Sequence, residues 1–142
     1  MRLVPILVAT LLLSTGSVLA SGFPVTVKSC DRDVTFDKAP TRAISNDVNL
    51  TEMMLALGLT DHMVGFTGVS EWKTLDAKLR EGVKELPELS ADYPTKEVLL
   101  GANADFYFAG WNYGLKVGGE VTPETLTPFG IKVYELTESC IH

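Results

Sequence analysis

From residue 23 onward, apolar and polar positions fall into short blocks whose period changes along the chain. Phe23 to Ser29 alternates, and Val34 to Phe36 resumes the alternation after the turn-forming Asp31-Arg32-Asp33, which predicts an N-terminal hairpin. Pro40 breaks the pattern, and Arg42 to Ser45 reads as a short strand. In the stretch "SNDVNLTEMMLALGLTDHMVGF", Leu50, Met53, Met54 and Leu57 recur at helical spacing and predict one apolar helix face. Asn49 is the predicted N-cap, with Glu52 three residues later as its capping-box partner. Gly58 followed by Leu59 marks the end of that helix. His62 to Phe66 is the next strand, and strand, helix, strand in so short a span is a βαβ unit, which implies a parallel sheet.

The second half repeats the alternation of periods. Glu71 to Leu86 mixes charges with leucines, as in a solvated helix or an irregular excursion. Pro94-Thr95 opens a helix with Thr95 as N-cap and Val98 and Leu99 on its buried side. Asp105 to Ala109 is a strand. Thr122-Pro123-Glu124 supplies an N-cap, an N1 proline and an acidic first turn for a short helix that Gly130 closes. Ile131 to Leu136 is the last strand. These blocks predict an α/β domain with about four parallel strands behind the hairpin. Ligands of such sheets sit outside the carboxyl ends of the strands, here the loops starting at Ser45-Asn46, Thr67-Gly68, Gly110-Trp111 and Thr137-Glu138.

The first 20 residues follow a different rule. Arg2 precedes the apolar run Leu3 to Leu13, and Val18-Leu19-Ala20 places small residues where a signal peptidase cuts. The run is too short for a membrane span. Residues 1–20 are therefore expected to direct export and residues 21–142 to form the mature domain, in a periplasmic or secreted location. Taking Arg2 from the 12 Lys and Arg leaves 11 against 18 Asp and Glu, a net charge of −7. That balance argues against nucleic acid or an anionic membrane as the main partner. The two cysteines, Cys30 and Cys140, are even in number in an oxidising compartment, which favours a disulfide. The alternative is a Cys140/His142 metal pair, which lacks the further ligands a zinc site needs.

Catalytic signatures are sparse. There is no Gly-x-Ser-x-Gly elbow, no His-Glu-x-x-His and no phosphate-cradling glycine loop, and the chain has two histidines. His62 follows a helix end beside Asp61, where a surface role suffices. The strand-end loops instead carry aromatics: Trp72, Tyr93, Trp111 and Tyr113. Rings with a polar tip suit a ligand wall. The glycines around Trp111 and Tyr113 argue against a buried, element-internal position and read as hinges that let the rings face a guest. Lys116 is the nearest basic residue.

The stretches "VTVKSCDRDVTFDKAPTRAIS", "NLTEMMLALGLTDHMVGFTG", "LPELSADYPTKEVLLGANADFYFAGW" and "FGIKVYELTESC" together resemble the N-terminal lobe of periplasmic substrate-binding proteins. Those proteins serve ABC importers of iron-siderophore complexes, haem and cobalamin, and the iron-siderophore branch is the nearest in wording. The resemblance implies a single Rossmann-like lobe, half of a two-lobed fold whose second lobe and connecting helix are not in this sequence. It implies a non-enzymatic, monomeric receptor that captures a metal chelate such as a ferric siderophore. Trp72, Tyr93, Trp111 and Tyr113 would make the pocket, and an inner-membrane permease would be the partner. It also implies that Glu97, in the first turn of its helix, docks onto that permease; the helix dipole alone would equally favour an acid there. A bare-metal receptor for zinc or manganese, an exported α/β enzyme and a truncated product without function are the rival expectations.

Overall fold

A computed structural model describes residues 22–70 and 76–141 of the chain. The expected hairpin is present as β1 (Val25–Ser29) antiparallel to β2 (Arg32–Phe36). Its turn is Cys30-Asp31, so Arg32 and Asp33 belong to the second strand and not to the turn. Two-residue connections suit the twist of paired strands and demand unusual backbone angles, here φ 50° at Cys30.

Behind the hairpin stands a six-stranded sheet in which every pairing is parallel. The four predicted strands appear as β3 (Ala43–Asn46), β4 (Met63–Thr67), β6 (Phe106–Trp111) and β8 (Lys132–Glu135). Two short strands join them, β5 (Glu88–Ser90) at one edge and β7 (Gly114–Leu115) beside the end of β6. The order is β5-β4-β3-β6-β7, with β8 also paired to β6. The chain thus builds outward from β3 through β4 to β5, then returns to place β6 on the other side of β3. That reversal makes the gap between the carboxyl ends of β3 and β6 a topological switch point.

Helices cover both faces. Residues α1 (Val48–Ala56) and α2 (Ala77–Gly82) contribute Leu50, Met54 and Leu79 to one core, with Ala43, Phe66 and Phe108 from the strands. The opposite core takes Leu99 from α3 (Lys96–Gly101) and Leu126 from α4 (Pro123–Leu126), against Ile44, Tyr107 and Val133. Neighbours such as Ala43 and Ile44, or Tyr107 and Phe108, go to opposite cores, as the period of a strand requires.

Two helix readings change. The N-cap of α1 is Asp47, whose Oδ1 accepts from the Val48 N–H, and Asn49 lies inside the helix, so the Asn49/Glu52 capping box does not form. The N-cap position is decided by where β3 ends: the Asp47 N–H is held by the Thr67 carbonyl at 2.8 Å, which fixes the turn two residues earlier. The buried residues of α1 are Leu50, Thr51 and Met54; Met53 and Leu57 are 41% and 72% exposed. Its other end is as expected, with the Gly58 N–H donating to Leu55 and the Leu59 N–H to Met54, a Schellman closure. Thr122 caps α4 with Thr125 as its box partner. No helix among the described residues is long and apolar enough to cross a membrane.

The hairpin is tied to the sheet at its turn. Cys30 and Cys140 are joined by a disulfide. Beside it the buried Glu135 carboxylate accepts from Ser29 Oγ at 2.8 Å and pairs with Arg32 at 2.6 Å, and the Ser29 hydroxyl in turn accepts from the Glu135 N–H.

Candidate functional site

The carboxyl ends of β3, β4 and β6 meet over a small polar floor. Asn46, the last residue of β3, is fully buried, and its Oδ1 accepts from Thr67 Oγ1 at 2.8 Å. Its Nδ2 has no partner among the described residues. A buried donor left so costs about 1–3 kcal/mol. Tyr107 of β6 completes the floor. Burial pushes its phenol well above the ordinary value, against a smaller opposing effect of the Thr67 hydroxyl.

Two glycines let the loops close on this floor. A Cβ on Gly114 would strike the Tyr107 hydroxyl and stand 2.8 Å from the Asn46 amide, and its φ is 98°. A Cβ on Gly68 would meet Tyr93 Cδ1 at 2.7 Å and Asn46 Oδ1 at 2.9 Å. Neither position admits a side chain.

Asp47 follows Asn46 and adopts φ 70°, ψ 163°. Essentially only glycine enters that region freely, and such residues carry about 1–3 kcal/mol of strain unless the surroundings over-determine them. Here they do. The Asp47 carbonyl accepts from the Thr51 N–H at 3.1 Å and from Thr51 Oγ1 at 2.7 Å, and its Oδ2 accepts from the Tyr93 hydroxyl at 3.0 Å. Burial and this carboxylate together push the Tyr93 phenol up to about 12, with Tyr113 and Asp92 adding to the rise.

Above the floor opens a cavity of about 410 Å³, lined by Tyr93, Thr95, Asn112, Lys116 and Glu120 among others. A more apolar cavity of about 610 Å³ lies near the starts of β3 and β6, between Phe23, Phe36, Leu57 and Phe106. His62 borders it with Nδ1 at 2.8 Å from the Pro40 carbonyl, so this histidine has a local role far from the floor. Binding sites combine apolar wall with a few converging polar groups, which favours the smaller cavity at the switch point.

The sequence-predicted residues divide accordingly. Tyr93 lines the cavity, 36% exposed. Tyr113 stands in the adjacent turn, 38% exposed. Trp111 is the last residue of β6, half-buried against the core under α3 and α4, with its backbone N–H donating to Ser139 Oγ at 2.9 Å. Its place is thus at the end of the strand and only partly buried, and Tyr113 lies beyond the strand. A Cβ on Gly110 would come 2.6 Å from Ser139 Oγ, and the Gly110–Tyr113 backbone groups bond to each other at 2.8 and 3.0 Å. These glycines permit close packing. Trp72 lies outside the described residues. Glu97 is fully exposed in the first turn of α3, and its own backbone N–H and the Thr95 side chain hold its carboxyl below the usual range. No three His, Cys, Asp or Glu side chains among the described residues converge as a metal site would require. Asp47, Asn112 and Thr67 are additions that sequence reading passed over. The signal for Asp47 was its place directly after a strand, outweighed by the more conventional box at Asn49.

No family model matches the chain, and no curated protein does. Solved structures match it. A periplasmic binding protein from Veillonella parvula is 25% identical with a TM-score of 0.65, over 76% of this chain and 35% of that one. An ABC-type Fe3+-hydroxamate transport system from Saccharomonospora viridis is 29% identical with a TM-score of 0.66, over 84% of this chain and 41% of that one. A haem-binding protein, 14% identical with a TM-score of 0.56, shares the fold over 87% of this chain and 36% of its own. The chain thus spans well under half the length of the proteins it matches, and it fits the N-terminal lobe of such a two-lobed molecule.

Proposed function

We propose that the chain is the N-terminal lobe of an extracytoplasmic receptor that captures a metal chelate, a ferric siderophore first among the candidates, and delivers it to an ABC permease in the membrane. The observation that carries this reading is positional. The only polar floor with converging aromatic and amide groups that we find among the described residues lies at the switch point of the sheet, in a fold shared with an Fe3+-hydroxamate transport protein.

One lobe offers one wall. A pocket binds by enclosing most of its guest, so affinity needs a second wall to close over this one. Tyr93, Tyr113 and Trp111 supply ring surface on this side, and Trp72 is assigned to the same wall on its place in the sequence alone. Glu97, exposed and ionised at a helix start, is the group we assign to orienting the receptor on the permease, where charge sets register more than strength. Residues 1–20 serve export in this reading, and the protein acts by binding without chemistry.

Intrinsic fluorescence titration of a two-lobed version against ferric trihydroxamate, ferric catecholate, ferric citrate and haem tests the proposal. At least one chelate should quench saturably. Trp111→Ala should weaken that binding at least tenfold, about 1.4 kcal/mol. A flat response to the whole panel would remove the chelate-receptor reading, and an unchanged affinity would remove Trp111 from the wall.

A further inference from the structure

Tyr93 is held at two points before any guest arrives. One edge of its ring lies on Gly68, so close that a Cβ there would be 2.7 Å from Cδ1 and 3.0 Å from Cε1. Its hydroxyl donates to Asp47 Oδ2 at 3.0 Å. Asp47 in turn cannot swing away. Its N–H is bound to the Thr67 carbonyl, its carbonyl holds both donors of Thr51, and its Oδ1 takes the Val48 N–H at 2.6 Å. A residue this constrained, in a backbone region that disfavours it, points to a task beyond capping a nine-residue helix.

We propose that Asp47 is a positioning residue that makes Tyr93 a fixed, neutral aromatic plate whose oxygen is withheld from metal, so that the mouth selects metal ions already fully coordinated by their chelator. This rests on the reading of Tyr93 as part of the ligand wall. A phenol ligates ferric iron as the phenolate, by losing its proton and turning a lone pair to the metal. Here the proton lies between Tyr93 Oη and the Asp47 carboxylate, and a phenolate would face that carboxylate directly. Among the described residues, the other titratable groups facing the ring are Asp92 and Tyr113, which also disfavour phenolate, the buried Tyr107, and Lys116 and Glu120 across the cavity. Burial, Asp47, Tyr113 and Asp92 raise the phenol to about 12, so its proton is harder to remove than that of an ordinary phenol. A complex with an open coordination position finds no donor in Tyr93, whereas a saturated one needs only ring surface, which a preorganised aromatic offers at little entropic cost.

Two readouts on the full chain test this, and neither requires a ferric siderophore to bind. In protein labelled with carbon-13 tyrosine, the Tyr93 Cζ resonance is assigned by its loss in Tyr93→Phe. At about pH 11, above the ordinary phenol value of about 10, it should keep its neutral position in the unmodified chain. In Asp47→Asn, which is isosteric and preserves the cap, it should shift toward the phenolate position. Ionisation in the unmodified chain at that pH, or indifference to Asp47→Asn, overturns the tether. The second readout needs no Asp47 variant and stands if Asp47→Asn fails to fold. Ferric nitrilotriacetate, which leaves coordination positions open, should give no tyrosinate-to-iron charge-transfer band that depends on Tyr93. A band abolished by Tyr93→Phe overturns the proposal. Since neither readout requires a ferric siderophore to be captured, loss of the tether is told apart from loss of the receptor reading.

Discussion

The hairpin seam and the strand-end mouth are both polar, both partly buried, and built in different ways. At the seam, contacts join residues more than 100 positions apart: Cys30 to Cys140, Ser29 and Arg32 to Glu135. At the mouth, Tyr93 reaches back 46 residues to Asp47, and Thr67 only 21 to Asn46. Unmet hydrogen bonding does not separate the regions, since each has one buried nitrogen without a partner, Arg32 Nε and Asn46 Nδ2. Among the contacts between described residues, covalent and ionic cross-linking does. The seam closes the whole chain on itself, while the mouth is set by single hydrogen bonds, two close-approach glycines and a strained aspartate. Global stability and local shape are thereby lodged in different places, so one can be changed with little effect on the other.

That separation can be broken experimentally, most forcefully at the seam. Reducing the disulfide opens a loop of 110 residues and should remove about 4.7 kcal/mol in the chain-entropy model. Urea unfolding with and without reductant measures this, and equal midpoints would mean that the bridge does not carry the hairpin. Glu135→Ala strands the partly buried Arg32 and should cost about 3 kcal/mol while leaving the Tyr93 environment unaltered. A moved Tyr93 resonance in that variant would show the two regions to be coupled. At the mouth, Gly114→Ala drives a methyl against Tyr107 and Asn46; overpacking of this kind costs about 2 kcal/mol. It should shift Tyr93 and Tyr113 signals far more than Glu135→Ala does, and the reverse ranking would sink the comparison. The smallest effect on folding is expected from Glu97→Arg, which should leave the unfolding curve and chelate binding unchanged while impairing uptake in reconstituted vesicles. Normal uptake would take Glu97 out of the docking role.

Much of the frame was readable in the chain. Runs such as Phe106 to Ala109 are apolar at successive positions because the sheet is covered on both faces, and all four main strands were anticipated. The bridge followed from cysteine parity. Strands β5 and β7, of three and two residues, left no periodic trace because a neighbouring strand alone defines them. Asn49 looked like a cap because local spacing suggested it, whereas the Thr67 carbonyl, contributed by the next strand, placed the cap at Asp47. Glycine is ambiguous in sequence for a physical reason: the lack of a side chain serves both mobility and close contact. At Gly110 and Gly114 contact was the purpose. The Asp47–Tyr93 pair depends on two loops that only the crossover order brings together, and no spacing rule encodes that.

The bond between Cys30 and Cys140 also decides how the protein bears mechanical load. A pull applied outside this pair is borne by the sulfur bridge, and the chain between the two cysteines, a sequence separation of 110, feels no tension. Stretched from its ends in an optical trap, the oxidised chain should yield almost no extension from that interval. With the bridge cut, the same pull should release a contour of roughly 360–400 Å as the sheet gives way.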